Sequence, residues 1–362
     1  MRLRTVLATA TAGLTAVTCL TLAVTVPASA APAPRDAAGR PTANACSPYA
    51  DLDGFSDALD ETTFDGLDVG NLSGLSVDRG GRIAAVSDRS VLFDLDVHQG
   101  GGAPRATVAA GMPIADENGG QLDSEAVVVD HDGTYLITSE TEPSIRRYDR
   151  AGHLVGRLPV PSYLQVAPAG RAQSNLTFEG LTLLPGGHTL VASMEESIAG
   201  DDQDLTRLQT WNRVGDSDAF TLGRQYGFRL DPGLGISEIA STGDGRLLVL
   251  ERGFTAGFGN TVRLYAADLR GASDTSGITD LTASSGARLI RTTLVADIGR
   301  CPSLGATARQ PQPNPLLDNI EGLTVTGRTP DGRLRLLMIS DNNDNPDQVT
   351  RLYSLTVRLP RR

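Results

Sequence analysis

No lysine occurs in this chain; all 32 of its basic residues are arginine. Against 43 acidic residues they leave a formal charge of -11, and nowhere do they gather into a basic stripe. That balance argues against nucleic acid and anionic membranes as partners. The missing lysine itself reads first as a compositional bias. Gly-x-Ser-x-Gly is absent, which removes the α/β-hydrolase nucleophile elbow. No His-x-x-x-His, phosphate-loop or dinucleotide motif occurs. The four histidines, His98, His131, His153 and His188, lie at turns or beside a Gly run and read as surface residues. Aromatics are only 4% of the chain, and Trp211 and most others fall in its more polar segments, where they read as packing residues. Beyond the N-terminus no apolar run is long enough to span a bilayer.

The ends come next. Arg2 and Arg4 precede an apolar run from Val6 to Val26, and Ala28-Ser29-Ala30 is a small-residue cleavage site. Residues 1–30 therefore read as a signal peptide cleaved after Ala30, and the mature chain as secreted and extracellular. Residues 31–44 are Ala/Pro-rich without periodicity and read as a disordered leader. Residues 45–362 remain as a single folded domain. Cys46 and Cys301 are the cysteines left after processing. In an oxidising compartment an even count suggests one disulfide, with two free thiols as the alternative. They are too few for a thiolate metal site.

What is present is a repeat. Five segments share one plan: a short apolar run, a Gly-Gly or Asp-Gly turn, a second apolar run, then an acidic residue. They begin at Ser73, Glu125, Glu179, Glu238 and Glu321, and end at Asp88, Glu140, Glu195 or Glu196, Glu251 and Asp341. Each reads as a β-hairpin. The runs are continuously apolar, as strands buried on both faces are. A more polar pair of strands follows each hairpin, for example Ile145–Tyr148 with Leu154–Leu158. Four antiparallel strands per unit is the build of a propeller blade. The expected fold is all-β, a propeller with five blades around a central channel. A sixth, degenerate blade is the alternative, because the last start-to-start spacing is 83 residues against 52, 54 and 59 before it. That gap holds a Ser/Gly/Asp-rich stretch, Gly271–Ser285, and a Pro-rich one, Pro302–Pro315, both read as loops. The final strand, Arg351–Val357, should join the last blade, with Leu52–Leu67 closing the ring beside it.

In a hairpin, the start of the first strand and the end of the second lie at the same end. The acidic pairs are spaced 15 (Ser73/Asp88), 15 (Glu125/Glu140), 16 (Glu179/Glu195), 13 (Glu238/Glu251) and 20 (Glu321/Asp341). First strands line the channel, so Glu125, Glu179, Glu238 and Glu321 are expected around one mouth, with the second set one strand further out. So many carboxylates require protonation, pairing with Arg (Arg89 and Arg252 directly follow two of them) or a metal. Oxygen ligands without suitable Cys or His favour Ca2+, with Mg2+ also compatible. The candidate ligands are Glu179, Glu238, Glu321, Asn319, Asp341 and Asn342. Asn71 and Asp123 add oxygens two residues before the inner strands. The loop Asp341–Asp347 is calcium-loop-like in composition but lacks EF-hand spacing. The plain alternative is that acids and Asn at strand ends are turn formers.

Phe178-Glu179-Gly180-Leu181 with Ser193-Met194-Glu195, Ser237-Glu238-Ile239, and Asp318-Asn319-Ile320-Glu321-Gly322-Leu323 with Ser340-Asp341-Asn342 resemble the secreted bacterial phytase-like propellers, also described by an esterase-like activity of phytase. The resemblance covers roughly residues 65–357. It implies a propeller with phosphoester or carboxylester hydrolase activity. Calcium-dependent propeller phytases pair an acidic calcium cluster with Lys and Arg that hold phosphates. This chain has the acids without an evident basic cluster, which counts against phytate. Two functions stay open. One is a metal-dependent hydrolase of a small ester or phosphoester, working as a monomer, with Glu125, Glu179, Glu238, Glu321 and Asp341 as candidate catalytic residues and Glu125 or Asp341 as base. The other is a non-catalytic ligand- or protein-binding propeller with a structural calcium.

Overall fold

The computed structural model describes residues 43–362 except residue 216. The expected signal peptide, and all but the last two residues of the expected leader, lie outside the described residues. Asn44, placed in that leader, already belongs to the fold: its carbonyl accepts the Leu52 amide at 2.9 Å.

Five four-stranded antiparallel sheets stand around a common axis. From the inside out, blade I is Leu72–Val77, Ile83–Ser87, Val91–His98 and Arg105–Pro113. Blade II is Ser124–Val129, Tyr135–Ser139, Ser144–Tyr148 and Leu154–Arg157. Blade III is Phe178–Leu183, Thr189–Met194, Leu205–Arg213 and Phe220–Arg229. Blade IV is Gly235–Ser241, Arg246–Thr255, Gly259–Asp268 and Arg291–Asp297. Blade V is Ile320–Arg328, Leu334–Ser340 and Leu352–Val357, and its outer strand is Ala50–Ser56 from the other end of the chain. Ala50 pairs with Val357 and Ser56 with Leu352, so both ends of the domain close the ring in one sheet. The segment expected to do this divides: Thr62–Phe64 and Leu67–Val69 form a separate small hairpin. A Cys46–Cys301 disulfide ties the closing segment to the loop after blade IV, across 255 residues.

The continuous apolar runs have a direct cause. Each blade buries both faces, and the described hydrophobic core divides into five clusters, one at each junction between blades. In blade I, Ile83 and Ala85 pack toward blade V, while Ala84 and Val86 pack toward blade II. Alternate residues serve opposite faces, and both faces are core.

The long gap before blade V holds loops, as expected, and polar side chains hold them down. Fully buried Arg351 pairs with Asp57 at 2.6 and 2.8 Å and donates to the carbonyls of Thr307, Pro315 and Leu316. Arg207 pairs in the same fork with Asp201 and donates to the carbonyls of Ile278 and Thr279. The planar guanidinium can serve a carboxylate and several carbonyls together, which an ammonium does less well.

Every inner strand carries a β-bulge near its start. Register shifts fall between Leu72 and Gly74, Ser124 and Val127, Phe178 and Leu181, Ile236 and Glu238, and Ile320 and Gly322. A bulge re-aims a side chain, and here it does so five times around the ring. The following residue meets the neighbouring blade. A Cβ on Gly180 would lie 2.4 Å from the Ile239 amide nitrogen, and one on Gly74 would lie 2.5 Å from the Glu125 carbonyl oxygen. Gly180→Ala should therefore destabilise by about 2–3 kcal/mol, read as a lower urea midpoint at unchanged slope.

Candidate metal and active site at the channel mouth

The bulges define which residues are equivalent. The five bulge positions are Ser73, Glu125, Glu179, Ser237 and Glu321. The residue two before each is bonded across to the end of the second strand. Asp88, Glu140, Glu195 and Asp341 donate their amides to the carbonyls of Asn71, Asp123, Thr177 and Asn319. In blade IV the corresponding pair is Gly235 with Arg252.

This alters the expected site in one blade. Glu238 is one residue out of phase with Glu125, Glu179 and Glu321. It occupies the close-approach position that is Gly in blades I, III and V. Its Oε1 accepts the amides of Leu181 and Ile239, both at 2.9 Å, and so links blades III and IV. No other carboxylate contributes to its raised pKa, which burial alone drives upward against those two amides. Glu251 turns away too: its Oε2 accepts the Asp231 amide at 3.0 Å, on the side of Asp231 and Arg263. Where four blades place an acid, blade IV places Arg252.

Asp88, Asp123, Glu125, Glu140, Glu179, Glu195, Glu321 and Asp341 thus form one cluster of eight carboxylates. Asp123, Glu125 and Glu140 each offer an oxygen, all within 4.8 Å of one another, and Glu140, Glu179 and Glu195 do the same. Arg252 reaches into the cluster, its Nη2 lying 2.7 Å from Glu321 and 3.9 Å from Glu195. Arg89 sits at the edge, 3.4 Å from Asp88 and 2.7 Å from Asp344. Asn319 donates to Glu321 at 3.0 Å. Asn342 is committed to the seam between blades V and I, where its Oδ1 accepts the Asn71 amide. Asn71 also exchanges hydrogen bonds with Asp344. Asn71 itself is buried.

The electrostatics follow from burial and like charge. Burial, then Glu321, Glu140, Asp123 and Asp88, push Glu125 well above the carboxylate range. Burial, then Glu125, Glu195, Glu140 and Glu321, do the same to Glu179. Burial raises Asp341 well up as well, helped by Glu321 and Asp88. Burial takes Asp88 and Glu140 to about 7 and Glu195 to about 8, in the last case against the pull of Arg252. Arg252 is held above its ordinary value, because Glu321, Glu195, Glu179 and Asp341 outweigh its own burial.

Such a cluster holds protons, a cation, or both. The donor set fits a hard cation: oxygens only, several within contact range of one point, and Glu179 Oε2 buried without a hydrogen-bond partner.

The fold and mouth define a class: a five-bladed propeller with a carboxylate-lined channel entrance. The chain belongs to the phytase-like family described as "Esterase-like activity of phytase", whose model matches residues 67–344. A search of curated proteins finds no match. Among solved structures, the chain is similar to XC5397 from Xanthomonas campestris, described as a gluconolactonase, at 13% identity and a TM-score of 0.40, covering 82% of this chain and 74% of that one. It is also similar to the PQQ-bound aldose sugar dehydrogenase of Streptomyces coelicolor, at 13% identity and a TM-score of 0.38, covering 80% and 95%. Both likenesses are of fold.

Proposed function

We propose that this chain is a secreted, monomeric, Ca2+-dependent hydrolase of small esters or phosphoesters, with its active site in the carboxylate cluster at the channel mouth. The observation that carries this reading is the gathering of eight carboxylates into one cluster, with two triads sharing Glu140 and the Arg252 guanidinium among them. Glu179, Glu140 and Glu195 would hold one ion, with Glu125 and Asp123 on the Glu140 side. A bound ion would polarise the ester oxygen and acidify a water. Glu321 and Asp341 remain for positioning and proton transfer. Arg252, held by Glu321, is the cation best placed to meet an anionic substrate oxygen. Secretion is supported by the signal-like N-terminus, by the disulfide, and by there being no described helix long and apolar enough to cross a membrane.

Glu179→Gln and Glu321→Gln test this. Turnover of p-nitrophenyl phosphate, p-nitrophenyl acetate and a lactone would be measured with Ca2+ and with chelator, and Ca2+ affinity by calorimetry. Each variant should lose at least about 100-fold in kcat/KM on the preferred substrate, and Glu179→Gln should also lose Ca2+ affinity. Full activity and full affinity in both variants would remove the site. Chelator-sensitive melting without turnover would favour a binding propeller with a structural ion.

A further inference from the structure

Blade IV differs from the other four in a second way. The other second strands end beside the mouth, at Ser87, Ser139, Met194 and Ser340. In blade IV the paired ladder runs on past Arg252, through Gly253–Thr261 and Phe254–Asn260 to Thr255–Gly259. The hairpin therefore extends beyond the strand position from which Arg252 reaches the carboxylate cluster. It carries Phe254 and Phe258, which are 54% and 52% exposed and are the exposed large aromatics among the described residues.

The hairpin is held in place rather than loose. A Cβ on Gly253 would lie 2.4 Å from the Gly233 carbonyl oxygen, so that face of the strand is pressed onto the loop before blade IV. On the return strand, the Asn260 amide donates to Gln312 Oε1 at 2.8 Å, and a Cβ on Gly259 would lie 2.4 Å from the Pro311 carbonyl oxygen. The Pro-rich insertion thus buttresses the second side. Alternation along a strand puts Phe254 on the face opposite Gly253, the same face as Arg252. Its Cα is about 7 Å beyond that of Arg252 at the usual strand rise. Arg252, which touches the carboxylates, and exposed Phe254 therefore share one face of the strand.

We propose that Phe254 and Phe258 are specificity-determining residues, forming an apolar platform for the organic part of the substrate. The class of substrate is then an ester or phosphoester of an aryl or long alkyl alcohol, with its polar end at Arg252 and the carboxylates. A highly charged polyphosphorylated polyol does not fit a platform of two phenyl rings. This rests on the hydrolase reading for the reacting end of the molecule.

The test compares 1-naphthyl phosphate with methyl phosphate, in wild type and in the Phe254→Ala/Phe258→Ala double variant. Two readouts are used: kcat/KM with Ca2+, and affinity by ligand-observed NMR. Both side chains are exposed, and an unchanged melting temperature would confirm the fold. The naphthyl-to-methyl ratio of kcat/KM should fall about tenfold in the double variant, mainly through KM. If wild type turns over neither ester but binds the naphthyl ester, and the double variant weakens that binding tenfold, the platform stands and the hydrolase reading falls. If wild type hydrolyses both and the ratio does not move, the platform falls and the hydrolase reading stands. Absence of both turnover and naphthyl binding in wild type overturns both.

Discussion

Stripped of metal by a chelator, the protein should lose thermal stability as the pH rises from 5 to 8, and Ca2+ should abolish most of that loss. Asp88 and Glu140 are raised to about 7 and Glu195 to about 8, burial being the largest cause in each. Glu125, Glu179 and Asp341 are raised further. An acid whose folded pKa exceeds its unfolded value keeps its proton longer when folded. Between about pH 4 and the folded value the native state then binds more protons than the unfolded state, and stability falls as pH rises. Three such groups alone, at about 1.4 kcal/mol per group per pH unit as an upper limit, give several kcal/mol by pH 8. For a domain of this size that is a melting temperature lower by about 5 °C or more. A bound cation replaces the protons and removes the slope, at a concentration set by its affinity. The check is a grid of melting curves over pH with EDTA, Mg2+ or Ca2+. A metal-free protein whose stability rises from pH 5 to 8 would contradict the carboxylate arrangement.

The five-fold plan was legible because propeller physics writes itself into each hairpin. Both faces of an inner strand are core, so the run is apolar throughout, and the turn needs Gly. The two long loops were legible from composition, but what pins them was not. Arg351 reaches Asp57, 294 residues away, and Arg207 reaches the carbonyls of Ile278 and Thr279, 71 and 72 residues away. The gathering of Glu125, Glu179, Glu321 and Asp341 into one cluster was readable from phase. Blade IV was misread because Ser237-Glu238 offers a glutamate one residue late. The signal was in the spacings: Glu238 to Glu251 is 13, whereas Ser237 to Arg252 is 15, matching Ser73 to Asp88 and Glu125 to Glu140. A carboxylate is easily taken for the expected carboxylate. The β-bulge that decides which residue faces the channel is set by strand pairing, and a local motif does not reveal it. The place of Asn342 is hidden in the sequence for a related reason. Its amide oxygen is taken by Asn71, more than 250 residues away, so the Asp/Asn loop chiefly fastens blade V to blade I.

Arg252→Met should move stability and metal affinity in opposite directions. The methionine keeps much of the apolar stem and removes the charge. Without metal, Glu321 loses a partner at 2.7 Å, and the cluster loses its internal cation. Breaking a largely buried pair in this way costs about 3–5 kcal/mol, so the metal-free variant should melt at least 5 °C lower at pH 8. The deficit should shrink toward pH 5, where protons take over the guanidinium's role. A positive charge about 5 Å from an ion site repels a monovalent cation by about 3 kcal/mol at an effective dielectric of 20, and a divalent one by about twice that. Relaxation and screening reduce that, and Ca2+ affinity should rise by about tenfold in calorimetry. In saturating Ca2+ the melting temperatures of variant and wild type should converge. A merely structural arginine would lower stability and affinity together. That outcome would mean that Arg252 organises the carboxylates into a site; the opposite signs would mean that it stands in for the ion until one binds.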